Sequence, residues 1–443
     1  MKTILNRRAF LRKSALAAAT LTAAPALLRS ASPNDIIHHA SFGAGGMAAG
    51  DIDGLTHHPN LKLVAVADVD LGHAAKLKEK FPDIKIYQDW RELLDKEKSI
   101  DSVNVSVPDH MHAAIAMSAL ELGKHVYCQK PLAHDLYEVR RLTETARSRA
   151  ERQVTQMGIQ IHSKAVYQQA KAIVQQGTIG RIKEVHAWSN KKWGDESPRP
   201  AGGDPIPADL NWDFWLGTAA VRPFIGNGYY HPATWRKRLD FGTGTFGDMG
   251  CHIYDPPFMA LELKTPLSVQ SDGPAPNAWN WATNSIVHYV FAGTPYTAAD
   301  TVNVTWYDGD ERPPKEIQEL LEGDPLPEQG SICVGTKGTM LLPHVAHAQL
   351  YPDKDFPNFH YPQVDDGDHW KLFVDACLGN GKTTAGFDYA GPLTEAVLLG
   401  SVACRFPHQK LAWNAARLQF DSTEASHFIR RTYREGWRVQ GLS

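Results

Sequence analysis

The sequence predicts an α/β domain on a parallel sheet, followed by an α+β domain on a large, mostly antiparallel open sheet. Three observations carry this. From Ile36 to about Arg149 short apolar runs alternate with helical stretches, the rhythm of parallel βαβ units. From about Gln153 strands dominate, separated by Gly, Pro and Asp turns. The length, 443 residues, also exceeds one core, at roughly 150 residues per domain.

Composition narrows the classes. Hydrophobic residues are 43% and charged residues 21%, ordinary for a globular chain. That excludes a disordered, collagen-like or polytopic membrane protein. The net charge is −3, so no basic field is available to attract nucleic acid or anionic lipid. Five Cys (128, 251, 333, 377, 404) lack metal-ligand spacing and read as buried free thiols, one disulfide being the alternative. No metal site is expected.

Before the fold begins, Lys2, Arg7, Arg8, Arg12 and Lys13 form a basic region without an acid, and Ser14 to Leu28 is uncharged. This reads as a removable signal rather than a membrane anchor. Asn6-Arg7-Arg8-Ala9-Phe10-Leu11-Arg12-Lys13 resembles the twin-arginine export signal. That resemblance implies the twin-arginine machinery as partner, a periplasmic location and a nucleotide cofactor that travels tightly bound. Cleavage is expected after Ala26 or Ala31. Residues 1–31 are thus assigned to the signal, 33–152 to the first domain and 153–443 to the second.

The first domain reads in order as strand Ile36–Phe42, strand Leu61–Ala67, helix His73–Phe81, strand Ile84–Tyr87 and helix Trp90–Lys96. Strand Ser102–Val107, helix Ala113–Leu122, strand His125–Cys128 and helix Leu136–Arg149 follow. In the second, a helix over Ser163–Gln176 precedes strands Ile182–Ser189, Pro266–Asp272, Ser285–Ala292, Thr301–Tyr307 and Ser331–Val334. Trp193–Tyr230 reads as a long ordered excursion and Glu311–Gln329 as an exposed insertion. A helix covers Thr394–Ala403, and the tail after Ser422 has amphipathic helical spacing. Asp365-Asp366-Gly367-Asp368-His369 reads as a solvated turn, its Gly misplaced for a calcium loop.

Gly43-Ala44-Gly45-Gly46-Met47-Ala48 fits G-x-G-x-x-G/A at a strand-to-helix turn. The glycines permit a tight turn and close backbone approach to pyrophosphate at a helix N-terminus. Asp68 ends the second strand, near the position of a ribose-binding acid, and favours NAD. The first domain is therefore expected to be a Rossmann NAD-binding domain. His38, His39 and Ser41 are unusual in its first strand.

Gly123-Lys124-His125-Val126-Tyr127-Cys128-Gln129-Lys130-Pro131-Leu132 resembles the glucose–fructose oxidoreductase / inositol dehydrogenase / rhizopine catabolism (Gfo/Idh/MocA) superfamily. Members usually carry Glu-Lys-Pro there; this chain has Gln129-Lys130-Pro131. Val107-Pro108-Asp109-His110-Met111-His112 resembles the family's Pro-Asp-x-x-His turn along the nicotinamide. Gly242–His252 resembles its Gly-rich turn and Asp-x-x-x-His helix. Trp306-Tyr307-Asp308-Gly309 and Arg434-Glu435-Gly436-Trp437 look like an exported bacterial subgroup. The resemblance implies cofactor contacts at Gly43, Gly45, Gly46, Met47, Asp68, Pro108, His110, His112, Gln129, Lys130 and Gln160. It also implies His252 as general base, with Lys130 and Asp248 assisting.

The residues suit that chemistry. Asp248 and His252 share a helix face at i and i+4. A neutral imidazole can take a hydroxyl proton as hydride leaves the same carbon. Lys130 can polarise that hydroxyl. Without a Glu at 129, Lys130 must be held by another group, Asp109 being a candidate. Tyr229, Tyr230, His231, Trp235 and Arg236, with Trp188 and Trp193, are the expected substrate wall, since sugar C–H faces stack on aromatics.

Three functions remain. The first is an NAD-dependent oxidoreductase acting on a secondary hydroxyl of a sugar, polyol or glycoside. The second is a redox-neutral glycosidase or lyase that oxidises its sugar transiently. The third is a non-catalytic NAD-binding protein. A homo-oligomer is expected from the open sheet.

Overall fold

The structure is a computed structural model that describes residues 36–443. The signal reading, Asn6–Lys13 and the two cleavage points lie outside these residues. Among the described residues no helix is long and apolar enough to cross a membrane.

The N-terminal sheet has six parallel strands: β1 (Ile37–Phe42), β2 (Leu61–Ala67), β3 (Lys85–Tyr87), β4 (Ser102–Val105), β5 (His125–Cys128) and β6 (Thr155–Met157). Their order is β3-β2-β1-β4-β5-β6, the doubly wound arrangement of a Rossmann domain. Helices α1 (Met47–Thr56), α2 (Leu71–Lys80), α3 (Trp90–Lys96), α4 (Asp109–Glu121) and α5 (Leu136–Arg149) make the crossovers. Side chains of Asp70, Asp89 and Asp135 cap the starts of α2, α3 and α5 by accepting backbone N–H bonds.

The polar residues of β1 have a structural account. His39 is buried, its ring nitrogens 2.7 Å from Ser102 Oγ and 2.9 Å from Asn104 Oδ1 on neighbouring β4. Ser41 Oγ donates to the Gly43 carbonyl at 2.7 Å. Burial pushes the His39 imidazole down to about 4, so it sits neutral in the sheet.

In the C-terminal domain, helix α6 (Ala165–Gln175) leads into β7 (Ile182–Ser189). After α7 (Trp212–Leu216), α8 (Gly244–Ile253) and α9 (Asp255–Ala260) come β8 (Ser268–Ser271), β9 (Ile286–Ala292) and β10 (Thr301–Asp308). Then follow α10 (Lys315–Gln318), β11 (Gln329–Gly335), β12 (Thr339–Pro343), β13 (Gln349–Tyr351), α11 (His369–Cys377), α12 (Phe387–Ala403), β14 (Leu411–Asn414), β15 (Gln419–Phe420) and α13 (Thr423–Ser426). Nine strands form one sheet, β13-β12-β11-β7-β10-β9-β8-β14-β15. Only the β7–β10 pair in it is parallel. One face carries α8 and α12, where Phe246 stacks on Trp306 with ring centroids 4.7 Å apart.

Three expectations need correction. Glu311–Gln329 is not a simple exposed insertion: Ile317 and Leu321 are buried with Trp188, Tyr307, Ile332 and Leu341 on the other face of the sheet. The tail after Ser422 is helical only over Thr423–Ser426. Its spaced apolar residues instead follow an irregular path, anchored where Arg431 donates to Glu138 (Nε–Oε1 2.9 Å) and Tyr433 to the same oxygen (2.6 Å). The helix expected over Thr394–Ala403 starts earlier, at Phe387, with Pro392 inside it. The acidic turn also does more than solvate: Asp368 accepts from Lys371 N at 2.9 Å and caps α11. All five cysteines are free thiols.

Candidate active site

A cleft of ≈ 800 Å³ is lined by both domains, within the range of small-molecule sites. One end is the Gly-rich turn. Gly43 has φ +98°, and a Cβ there would stand 2.4 Å from the Ser106 carbonyl oxygen, so the turn admits only glycine. At Gly46 a Cβ would meet nothing within 4 Å, which leaves open space above the start of α1. No side chain caps that start, and its first turn holds no acid. Its free N–H groups and positive dipole end suit a pyrophosphate. Asp68 Oδ2 accepts from Ala44 N at 2.8 Å and Oδ1 from Asp70 N at 2.9 Å, which fixes the carboxylate at the rim for a ribose. These residues fit NAD.

The Trp193–Tyr230 excursion forms the wall beside this end. Leu71 N donates to the Asp209 carbonyl and Asn211 N to the Val69 carbonyl, both at 2.9 Å. His231 Nε2 lies 2.9 Å from Asp70 Oδ2, and His73 Nδ1 3.6 Å from Asp68 Oδ2. Ligand atoms of Asp70, His73 and His231 all lie within 4.8 Å of one another. No metal is expected from the sequence; folding brings His231 to Asp70 and His73, and the three have the donor types of a divalent-metal site.

At the other end stands the lysine turn after β5. Lys130 Nζ donates to both Asp248 Oδ1 and the Asp248 carbonyl at 2.7 Å. The partner is therefore Asp248, not Asp109. Asp109 is buried at the start of α4 and accepts from Thr243 Oγ1 at 2.7 Å; burial raises its carboxyl. Asp248 is also approached by Arg236 Nε (3.1 Å to Oδ1), Trp193 Nε1 (2.8 Å to Oδ2) and Lys191 Nζ (3.6 Å to Oδ2). Burial disfavours its charge, but Lys130, Arg236 and Lys191 outweigh that and hold it well below the usual carboxylate range.

His252 lies one turn beyond Asp248 in α8, on the cleft wall. Its Nδ1 is buried with no hydrogen-bond partner. Burial, then Lys130 and His344, push its imidazole well below the ordinary histidine value. The ring is neutral and able to accept a proton.

Gln129 faces away from Lys130 Nζ. Its Nε2 donates to the buried Asp51 Oδ2 at 2.9 Å, and Ser106 Oγ (2.7 Å) and Trp370 Nε1 (3.0 Å, to Oδ1) donate to the same carboxylate. The acid absent at 129 thus stands at 51, on α1.

Of the expected cofactor contacts, Gly43, Gly45, Gly46, Met47, Asp68, Pro108, His112, Gln129, Lys130 and Gln160 line the cleft. His110 does not. It is fully buried, 3.1 Å from the Trp215 carbonyl and edge-on to Phe241, and burial pushes it down to about 3. Residues two apart on a helix point about 200° apart, so only one of His110 and His112 can face the cleft. Of the expected substrate wall, His231, Trp193, Trp235 and Arg236 line it. Tyr229, Tyr230 and Trp188 do not. Tyr230 packs with Trp212, Trp215 and Phe241. Tyr229 lies under Arg238, whose guanidinium is 3.5 Å from the ring centroid. Trp188 is buried and donates to the Pro327 carbonyl at 2.8 Å. The sequence reading missed Lys191, His344 and Asp51. Lys191 sits two residues before Trp193 and could have been drawn in with it; nothing local marks the other two.

Family comparisons agree with this anatomy. Residues 37–157 match the model for the Gfo/Idh/MocA oxidoreductase family, NAD-binding Rossmann fold. Residues 165–315 match that family's C-terminal alpha/beta domain. A levoglucosan dehydrogenase of Pseudarthrobacter phenanthrenivorans is 26% identical over 197 residues, 44% of this chain and 41% of its own length. An inositol 2-dehydrogenase of Salmonella typhimurium is 32% identical over 127 residues, 28% of this chain and 37% of its own. The chain thus matches about two-fifths of the length of these relatives. Among solved structures, the WlbA dehydrogenase of Bordetella pertussis, in complex with NADH and UDP-GlcNAcA, superposes with TM-score 0.60 at 15% identity, over 86% of this chain and 99% of its own. GenD2 from gentamicin A biosynthesis, in complex with NAD, gives TM-score 0.57 at 16% identity, over 87% and 99%. At these identities the likeness is one of fold.

Proposed function

Because the chain belongs to the Gfo/Idh/MocA family of NAD-binding oxidoreductases, we propose that it oxidises a secondary hydroxyl of a sugar, polyol or glycoside. The observation that carries the reading is the convergence of Lys130, Asp248 and His252 at one end of a cleft whose other end is the phosphate turn. Bound NAD supplies the hydride acceptor. Lys130 holds and polarises the substrate oxygen, and Asp248 fixes the lysine. His252 takes the hydroxyl proton as the C–H bond gives up its electron pair and a carbonyl forms. Trp193 and Trp235 offer flat faces to the ring.

The test begins with the purified protein. Denaturation should release NAD(H) in near-stoichiometric amount, which fits a cofactor held between turnovers. Adding sugars or glycosides to the holoprotein should raise the near-ultraviolet absorbance of reduced nicotinamide. Release of many nitrophenol equivalents per enzyme from a nitrophenyl glycoside, with no added cofactor, would point instead to redox-neutral cleavage. The twin-arginine pattern at Asn6–Lys13 supports export to the periplasm, and a reporter fused behind residues 1–35 tests it.

A further inference from the structure

The reacting end of the cleft carries more positive charge than its own acids balance. Among the described residues, Lys130, Arg236 and Lys191 each form an ion pair with Asp248 and with no other acid. Three cations share one carboxylate. Asp248 Oδ1 already accepts from both Lys130 and Arg236, so that oxygen is saturated. The other acid at this end, Asp109, is buried and bound to Thr243, and its proton is favoured by burial. Even counted as ionised, it leaves one cation in surplus; counted as neutral, it leaves two.

Arg236 is also prepared for a ligand. Its guanidinium carbon lies 4.3 Å from the Trp235 ring centroid and 5.5 Å from that of Trp193. Two neighbouring rings, the bond to Asp248 and a long contact from Nη1 to the Ala233 carbonyl (3.4 Å) hold the planar group, leaving part of its donor fork for another acceptor. Its side chain keeps 25% exposure and that of Lys191 keeps 42%, both on the cleft wall. A neutral sugar offers only uncharged hydroxyls, which balance no surplus cation. A planar fork beside a flexible ammonium matches a carboxylate.

We propose that this site takes an acidic sugar, a uronate or aldonate, with its carboxylate held by Arg236 and Lys191 while Lys130 and His252 meet the hydroxyl. This rests on the oxidoreductase reading and deepens it. The near-neutral balance of the whole chain does not oppose an acidic ligand. Net charge is a global sum, whereas the substrate meets only the local one.

The experiment is calorimetric titration of the NAD-loaded full chain with D-glucuronate, D-gluconate and D-glucose, at low and high NaCl. One of the two acids should bind roughly ten- to a hundredfold tighter than glucose, as charge-assisted hydrogen bonds allow. Salt should narrow that gap. Arg236→Gln should cut the acid-to-glucose affinity ratio about tenfold, and Arg236→Lys should cut it less. Equal affinities, tighter binding of glucose, or no binding of either acid overturns the proposal. Absorbance of reduced nicotinamide read on the same mixtures separates the two ideas. Reduction by glucose alone sinks the acidic-substrate proposal and keeps the oxidoreductase. Tight binding of an acid with no reduction by any sugar keeps the carboxylate site at Arg236 and Lys191 but counts against the oxidoreductase reading.

Discussion

Gln129 and Lys130 are neighbours in the chain, yet each reaches a different buried aspartate. Gln129 meets Asp51, whose other donors are the neutral groups of Ser106 and Trp370. Lys130 meets Asp248, which Arg236 and Lys191 also approach. Burial works against the charge of both. Around Asp51 it prevails and the carboxyl is raised; around Asp248 the cations prevail and the carboxyl is depressed. The difference teaches that one side chain type serves two ends here. Asp51 braces the lysine turn against the phosphate-loop helix. Asp248 keeps a set of cations at the reacting carbon.

Removing the reacting end should show the largest effect. His252→Ala is expected to lower turnover roughly 10²–10⁴-fold, the worth of a positioned general base. NAD content after denaturation should stay at the wild-type level; turnover that survives would refute the base assignment.

Next is the braced end. Gln129→Glu places a second buried carboxylate within about 3 Å of Asp51, and like charges at that range cannot both ionise cheaply. A stability loss of about 1–3 kcal/mol is expected by chemical denaturation. Adding Asp51→Asn should recover most of it. An unchanged midpoint in the single variant would show that the two sites are not the opposites drawn above.

A third effect is acid lability. The buried His39 is pushed down to about 4, and His110 and His369 to about 3. Their folded values lie below the unfolded 6.5, so the unfolded chain binds protons more readily. Their contribution is complete above pH 6.5 and is lost as pH falls toward those values. For His39 alone the shift is worth about 3 kcal/mol. Melting temperature should therefore drop steadily below pH 6.5 in a pH series.

The smallest effect is electrostatic tuning. Lys191 is among the groups that lower the His252 imidazole. Lys191→Gln should raise it, moving the acid limb of kcat/KM to higher pH by less than about one unit. A limb that stays put would place Lys191 too far from the base to matter.

How much of this was legible depended on contiguity. The phosphate turn, Asp68 and the Gln129-Lys130-Pro131 turn are read from adjacent residues, because a single strand-to-helix turn holds each. Asp248 and His252 are one helical turn apart and equally readable. Lys191, His344 and Asp51 come from separate segments, and only the fold brings them together. Adjacency also misled. Tyr229 and Tyr230 sit just before His231, but the indoles of Trp212 and Trp215 offer Tyr230 an apolar home. Trp193 lies just past the end of β7 and Trp188 within it, and Trp188 belongs to the buried face of the sheet opposite α8. In the tail, Ile429, Tyr433 and Trp437 have helical spacing, but Gly436 at φ +80° and the Arg431 anchors impose another path.

The segment that runs alongside Val69-Asp70-Leu71 has a kinetic meaning. Backbone bonds at Asp209 and Asn211, together with His231, join the second domain to the rim that carries Asp68. A ligand seated along Asp68 lies against this wall, so local opening of the strap loosens its hold and each bond that steadies the strap slows its departure. Ligand binding returns the favour by stabilising the joined chain.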